Sequence, residues 1–201
     1  MRPSKIQIIR SWDKIAARHG GYGRANWPKV EDFLRKSRGA LLDVGCGNAS
    51  YLKSFNNAVG VDASFETCKL AKRNIKVICG DATCLPIKSH SFSRVLSKAT
   101  LHILPTGADR TRMLEEIKRV LKPRGVALIT VFRGSKSIDK KLGLFKHFRK
   151  NVWINWGSIP RYYHLFSKRE LSKLASKVFD RFEVKLVREE KHKNLYLYVW
   201  K

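Results

Sequence analysis

Residues 42–48, with the sequence Leu-Asp-Val-Gly-Cys-Gly-Asn, decide the fold of this chain. The apolar run 40–44 is typical of a short buried strand, and Gly45 and Gly47 directly after it predict a tight turn. Glycines at such a turn let the backbone approach a ligand closely, and the helix that follows would present free N–H groups. The stretch therefore predicts a strand that leads into a ligand-binding loop.

Strand and helix patterns alternate after this loop. The strand patterns cover 58–62, 75–79, 92–99 and 126–132, and the helical patterns follow Ser64 and cover 108–122. This β-α-β-α order predicts a parallel sheet with helices on both faces.

The last third of the chain has a different pattern. Residues 134–160 are basic and aromatic without a clear period. A capping box at 167–170 predicts a helix through Val178. The alternating runs 182–187 and 195–200 then predict an antiparallel hairpin.

Acidic residues stand at the ends of the second and third strand patterns. Asp62 is placed for ribose hydroxyls and Asp81 for an adenine amino group. Each feature alone is weak, because a Gly-x-Gly is more often a simple turn and such an Asp is commonly a cap. The glycine turn and the two acidic residues follow one another at the carboxyl ends of three consecutive strands, and this combination predicts a nucleotide site. Ser50 stands where a dinucleotide fingerprint requires a third glycine.

The chain is strongly basic, with 42 Lys and Arg against 16 Asp and Glu among 201 residues. The excess lies mainly in 1–38 and 133–201, and a field of this sign attracts polyanions such as nucleic acids. No apolar run reaches the ~18 residues of a membrane span, and we expect no secretory signal. The four scattered cysteines predict neither a disulfide framework nor a zinc site. We expect no membrane, no metal and a cytoplasmic location.

The motifs resemble those of class I S-adenosylmethionine-dependent methyltransferases. The resemblance covers roughly residues 40–132 and is carried by Leu42–Asn48, Val61-Asp62, Gly80–Ala82 and Leu121–Gly125. Ala49 and Arg124 stand where family members usually have glycine. The resemblance implies a Rossmann-like α/β fold: a mostly parallel seven-stranded sheet, helices on both faces and an antiparallel C-terminal hairpin.

Further motifs narrow the resemblance to the tRNA wobble-uridine carboxymethyl methyltransferases. Similar stretches are Arg24–Leu34, Asn48–Leu52, Ser97–His102 and, most specifically, Arg161-Tyr-Tyr-His-Leu-Phe166. Ile103 departs from the pattern, since relatives often carry a second His there.

This resemblance implies a single methyltransferase domain over 1–201. Its expected parts are an N-terminal helical substrate segment (1–38), a cofactor-binding core (39–132), a basic and aromatic substrate insertion (133–166), and a C-terminal helix and hairpin (167–201).

It also implies two sets of site residues. Cofactor contacts are expected from Asp43, Gly45, Cys46, Gly47, Asn48, Tyr51, Asp62, Ala63, Asp81, Ala82 and Lys98. Catalytic or substrate contacts are expected from Arg24, His102, Arg161, Tyr163 and His164, which suit a carboxylate or a uracil. Alternatives stay open, since Arg24 equally suits a phosphate, Tyr163 core packing and His102 packing against the cofactor.

The reaction of the family is methyl esterification of the carboxylate of 5-carboxymethyluridine at the wobble position of tRNA. A carboxylate with a pKa near ~4 is already ionised at neutral pH, so no general base is required. S-Adenosylmethionine supplies the methyl group, while the protein aligns the groups and excludes water. The implied partners are tRNA and a small zinc-binding activator, which would add a strand at the sheet edge formed by Ile75 to Cys79.

Two other functions remain open from the sequence. One is a class I methyltransferase for a small molecule such as a quinone or a carboxylic acid, which the charge and the Arg-Tyr-Tyr-His block disfavour. The other is a non-catalytic RNA-binding module, which the intact Gly45, Gly47, Asp62 and Asp81 disfavour.

Overall fold

The structure, a computed structural model, describes residues 2–20, 27–133, 150–189 and 192–201. Within these ranges the helices are α1 (Lys5–His19), α2 (Pro28–Arg35), α3 (Phe65–Ala71), α4 (Gly107–Val120) and α5 (Lys168–Ala175). The strands are β1 (Leu41–Val44), β2 (Ala58–Asp62), β3 (Lys76–Cys79), β4 (Phe92–Lys98), β5 (Leu121–Phe132), β6 (Asn151–Trp156), β7 (Ile159–His164), β8 (Arg181–Glu189) and β9 (His192–Trp200). Ser50–Leu52 and Leu101–Ile103 form short 3₁₀ turns.

Hydroxyl side chains begin four of these helices. The helices α1, α3, α4 and α5 follow Ser4, Ser64, Thr106 and Ser167, and each hydroxyl accepts a hydrogen bond from the N–H three residues later. These bonds satisfy N–H groups that have no partner inside a helix. The helix starts predicted at Ser64 and at the 167–170 capping box are therefore confirmed.

Seven strands form one sheet in the order β3-β2-β1-β4-β5-β9-β8. The strands β1 to β5 pair in parallel, and β9 pairs antiparallel with β5 and β8. This is the expected Rossmann-like arrangement, with the antiparallel hairpin at the C-terminus. The strand β3 lies at one edge of the sheet, as the family resemblance implied.

Helices cover the two faces of the sheet. On one face, Met113 of α4 and Leu171 of α5 pack with Leu42 and Ile129. On the other, Val30 and Phe33 of α2 pack with Leu41, Leu96 and Leu128. Because helices cover both faces, β1 is buried at every position. Because the parallel strands run in the same direction, their carboxyl ends and the loops that follow them lie at one edge of the sheet.

The structure differs from the sequence expectations in three elements. Residues 151–164 form a two-stranded antiparallel hairpin of β6 and β7, although no regular structure was expected there. The strand β5 begins at Leu121 rather than at 126, because a register shift near Phe92 lets the Lys-Pro-Arg-Gly turn join the ladder. The helix α5 ends at Ala175, before the predicted Val178.

Ala49 and Arg124, the two departures from the family's glycines, both adopt left-handed backbone, with φ of 51° and 63°. Residues with a Cβ rarely adopt this conformation, so the chain retains a glycine-type backbone without the glycine. The fold at these two turns is set by the surrounding contacts, such as the Arg124 N–H donated to the Lys201 carbonyl at 2.8 Å.

Candidate functional site

A cavity of about 400 Å³ opens at the carboxyl ends of the parallel strands. Its walls include the glycine loop, the ends of β2 and β4, and β7. The helix α1 forms a further wall with Lys5, Ile8, Ile9, Trp12, Ile15 and Ala16. A volume of this size accommodates a nucleoside-sized ligand.

The glycine loop is shaped for a ligand that approaches the backbone. Gly45 has φ of 74° and its position admits no Cβ, because one would overlap the Thr100 side chain. Gly47 has φ of 57°, and nothing lies within 4 Å of where its Cβ would be. Gly47 lines the cavity, so this open space belongs to the ligand site. Cys46 and Asn48 also line it.

Asp62 connects this loop to the start of α3. Its carboxylate accepts hydrogen bonds from the N–H groups of Gly47 and Ser64, both at 3.0 Å. Burial raises the pKa of Asp62 above its usual value, against the lowering effect of these two bonds. The carboxylate therefore has a fixed direction in the cavity wall, next to Ala63.

Asp81 is held by Lys5, a residue that the sequence analysis did not single out. The Lys5 ammonium donates to Asp81 Oδ2 at 2.9 Å and to Thr83 Oγ1 at 2.6 Å. It also lies 3.1 Å from Asp109 Oδ1. Burial acts to raise the pKa of Asp81, but the hydrogen bonds from Thr83 and Lys5 outweigh it, and the pKa is lowered. These contacts attach α1 over this end of the cavity, beside Ala82.

Asp43 lies behind the cavity wall, so the direct cofactor contact expected for it is corrected. Its side chain is fully buried, and Oδ2 accepts a hydrogen bond from the Tyr51 hydroxyl, which does line the cavity. Burial raises the pKa of Asp43 to about 7, against the opposing effects of Tyr51 and Lys98. The Lys98 ammonium, in the cavity wall, lies 4.0 Å from the centroid of the Tyr51 ring. Asp43 therefore positions Tyr51 and Lys98 from behind.

His102 is a neutral side chain in the cavity wall. Burial, together with nearby His164, lowers its pKa to about 3. Its Nδ1 accepts the Phe132 N–H at 3.2 Å, so the ring proton is on Nε2. Its ring stacks on Phe132 with 4.2 Å between centroids and lies 5.3 Å from that of Tyr163. His102 can donate a hydrogen bond, and it is too weak a base to accept a proton at neutral pH.

Arg161 and Tyr163 reach the same cavity from β7. The Arg161 guanidinium lies 4.8 Å from the Trp156 ring centroid and 5.3 Å from that of Tyr163. Stacked aromatic rings hold a guanidinium flat and cost it little hydration, which suits recognition of a carboxylate or phosphate.

His164 does not line the cavity, and the substrate contact expected for it is corrected. Its Nδ1 lies 2.9 Å from Asn151 Oδ1 and its Nε2 lies 2.9 Å from Glu170 Oε1. Neighbours on β7 point to opposite faces of the strand, so Tyr163 faces the cavity while His164 faces α5. The Nδ1 contact joins β7 to β6 within the hairpin, and the Nε2 contact attaches the hairpin to α5.

Arg24, the other expected substrate contact, lies outside the described residues. The cavity also contains residues that sequence reasoning missed, chiefly Lys5, Trp12, Phe132 and Asn194. They come from α1, β5 and β9, and each lies in an ordinary helix or strand pattern that gives no sign of a site.

Among the described residues, no group of three His, Cys, Asp or Glu side chains is arranged to hold a metal ion. The helices described here are all too short or too polar to cross a bilayer.

Comparison with known proteins agrees with this geometry. The profile of the family described as "Methyltransferase domain" matches residues 42–129, which contain the glycine loop, Asp62 and Asp81. A Haloferax volcanii putative methyltransferase, solved in complex with the Trm112 methyltransferase activator, has the same fold at a TM-score of 0.71, with 17% identity over 96% of each chain. Residues 42–129 therefore match the methyltransferase domain family, and the chain has the fold of S-adenosylmethionine-dependent methyltransferases.

Curated relatives of the chain are named as tRNA methyltransferases. The chain is 36% identical over 133 residues to the tRNA (carboxymethyluridine(34)-5-O)-methyltransferase of Arabidopsis thaliana. This match covers 64% of this chain and 33% of that protein. The enzyme of the same name from Schizosaccharomyces pombe is 28% identical over 195 residues, 83% of this chain and 85% of that protein. The chain spans 20–33% of the length of the first plant and mammalian relatives it matches.

The residues of the cavity fit S-adenosylmethionine, the cofactor of the methyltransferases that share this fold. The open space at Gly47 leaves room beside the backbone, and Asp62 offers an oriented carboxylate for ribose hydroxyls. Asp81 and Lys5 border the end of the cavity where adenine is expected. Tyr51 and Lys98 border the end where the methionine carboxylate is expected. When bound, the cofactor supplies an activated methyl group.

Proposed function

We propose that this protein transfers a methyl group to the carboxylate of 5-carboxymethyluridine at the wobble position of tRNA. The observation that carries the proposal is that β7 brings Arg161 and Tyr163 into the cavity formed by the glycine loop and Asp62. The names of the Arabidopsis and fission-yeast relatives support the same substrate.

The substrate end of the cavity suits a nucleophile that is already charged. A carboxylate is ionised at neutral pH, so the protein has no proton to remove. His102, with its pKa near 3, offers a neutral donor instead of a base. Arg161 supplies the cationic partner that attracts a carboxylate or the adjoining phosphate. These residues bind and orient the substrate while the apolar walls exclude water.

The basic flanks are proposed to hold the tRNA. We assign 1–38 and 133–166 to the substrate, 39–132 to the cofactor, and 167–201 to the C-terminal support. Lys150, directly before β6, and the exposed Trp153 of β6 belong to this flank, and such a mixture suits an RNA backbone with unstacked bases. The basic and aromatic residues expected to assist them, between 134 and 149, lie outside the described residues. The place of action is proposed to be the cytoplasm.

A small activator protein is proposed to pair with β3. This strand is the sheet edge, and Val77 and Ile78 are only half-buried there. An apolar edge of this kind favours strand addition by a partner. The printed description of the Haloferax complex supports an activator for a protein of this fold. Co-expression with a candidate activator should raise the yield of soluble wild type, and Val77→Lys should abolish co-purification while Lys185→Glu on the opposite edge does not.

The reaction is tested by mass spectrometry of tRNA nucleosides after incubation with isotopically labelled cofactor. The expected product is the labelled methyl ester of 5-carboxymethyluridine, and tRNA lacking that carboxylate should remain unlabelled. Label on a small carboxylic acid but not on tRNA would contradict the proposal. Retention of tRNA should also weaken steeply with salt, because binding releases counterions from the phosphates.

A further inference from the structure

Asn194 places a buried amide in the substrate half of the cavity. It lies on β9 directly opposite Phe132 of β5, and only 2% of its surface is exposed. It lines the cavity, and its Nδ2 has no hydrogen-bond acceptor among the described residues. Buried amide groups nearly always have a partner, and leaving one without is unfavourable. The missing acceptor is therefore expected from a ligand.

His102 provides a second donor of the same kind. Its Nδ1 is occupied by the Phe132 N–H, and its Nε2 is buried with no partner in the described parts of the chain. Phe132 is thus the shared neighbour of both residues: its ring stacks on His102, and its side chain lies on the same face of the sheet as Asn194. Two neutral donors without acceptors are therefore neighbours of Phe132, one stacked on its ring and one directly across the strand pair.

We propose that Asn194, together with His102, binds the methyl-accepting carboxylate of the substrate. A carboxylate has only acceptors and can satisfy both donors, and hydrogen bonds to a charged oxygen are stronger than neutral ones. Neutral donors orient the oxygens and reduce their nucleophilicity less than a further ion pair, in addition to the attraction by Arg161, would. The assignment rests on the proposed function and adds a specificity residue from β9, outside the matched domain at 42–129.

Two ligands that differ only in the carboxylate test this assignment. The probes are 5-carboxymethyluridine and its amide, 5-carbamoylmethyluridine, each titrated by NMR into full-length protein saturated with S-adenosylhomocysteine. Wild type should bind the carboxylate at least tenfold more tightly, and Asn194→Leu should reduce this preference to about twofold. An equal loss for both probes would place the Asn194 bond on the uracil ring and overturn the inference, as would a wild type with no preference.

Stability separates binding from a structural role. Because Asn194→Leu removes a donor that has no partner, its melting temperature should equal or exceed that of the wild type, with unchanged affinity for S-adenosylmethionine. Asn194→Asp replaces the donor by a repelling oxygen and should lower kcat/KM for tRNA by about 100-fold. Asn57→Asp adds the same charge at an exposed site on the opposite end of the sheet and should leave kcat/KM unchanged. A lower melting temperature with weaker cofactor binding would make Asn194 a structural residue.

The two proposals fail in different ways. If wild type prefers the carboxylate nucleoside through Asn194 but methylates no tRNA, the proposed function is wrong and the binding site remains. If tRNA is methylated while Asn194→Leu keeps the preference, only the role of Asn194 is wrong.

Discussion

The half of the cavity proposed for the cofactor and the half proposed for the substrate are assembled in different ways. Gly45, Gly47, Asp62 and Asp81 lie at the carboxyl end of a strand or within three residues after it, so the sheet itself brings them together. Arg161, His102 and Asn194 come from a separate hairpin, a short turn and the last strand. The first half follows from local sequence and parallel topology, whereas the second depends on how distant segments pack.

The largest effect is expected in the cofactor half, at Asp62. Asp62→Ala removes the carboxylate that receives the Gly47 and Ser64 N–H groups and would face the ribose. Affinity for S-adenosylmethionine should fall by about 100- to 1000-fold, since charged hydrogen bonds contribute about 1.5–3 kcal/mol each. Calorimetry measures this loss, and tRNA binding should survive.

The matched control for that variant is Asp32→Ala. Asp32 is a surface residue of α2 that pairs with Lys36 at 3.0 Å. Its removal should leave cofactor affinity unchanged. If Asp62→Ala also binds the cofactor normally, the contrast between the two halves loses its basis.

The second largest effect is expected from the ionisation of Asp43, which should lower the free energy of unfolding by about 2–3 kcal/mol between pH 5 and pH 8. Its pKa is about 7 in the folded chain and near ~4 when unfolded, so the stability it contributes is complete below pH ~4 and is lost as the pH rises through 7. Asp43→Asn cannot ionise and retains an oxygen for the Tyr51 hydroxyl. Its advantage over wild type in urea unfolding should therefore grow from pH 5 to pH 8. A constant difference across that range would show that Asp43 ionises normally.

The sequence was sufficient for the half that depends on strand ends. The glycine loop, Asp62 and Asp81 lie at the strand ends where the alternating pattern predicted them, and β3 lies at the sheet edge that the family resemblance implied. The sequence could not distinguish Tyr163 from His164, since both are polar aromatics in one motif and only the pairing of β6 with β7 decides which faces the cavity. Lys5 and Asn194 gave no local signal, because their partners lie in distant parts of the chain.

Arg161→Lys should have a smaller effect, confined to the substrate half. Lysine keeps the charge but loses the flat guanidinium that stacks between Trp156 and Tyr163. We expect kcat/KM for tRNA to fall by about 10- to 30-fold, with cofactor affinity unchanged. Arg181 stacks on Trp200 at 4.9 Å in the other hairpin, so Arg181→Lys is a matched control that should retain full activity. Equal losses in both variants would point to general stacking rather than to substrate recognition.

The smallest effect concerns the pH dependence of kcat/KM, which we expect to be nearly flat. Burial lowers the pKa of His102 to about 3, and the pKa of His164 is lowered as well. His102 therefore stays neutral, and the substrate carboxylate stays ionised, over the whole range above pH ~5. Because Asp43, with its pKa of about 7, titrates behind the cofactor end of the cavity, the profile is measured with saturating cofactor, and kcat/KM for tRNA between pH 6 and 8 should then change less than about twofold. His102→Gln, which can keep a donor near the place of Nε2, should lower the rate yet keep the flat profile. A limb that rises with slope one in wild type and disappears in His102→Gln would mean that His102 removes a proton, and the substrate would then be a group that needs a base rather than a carboxylate.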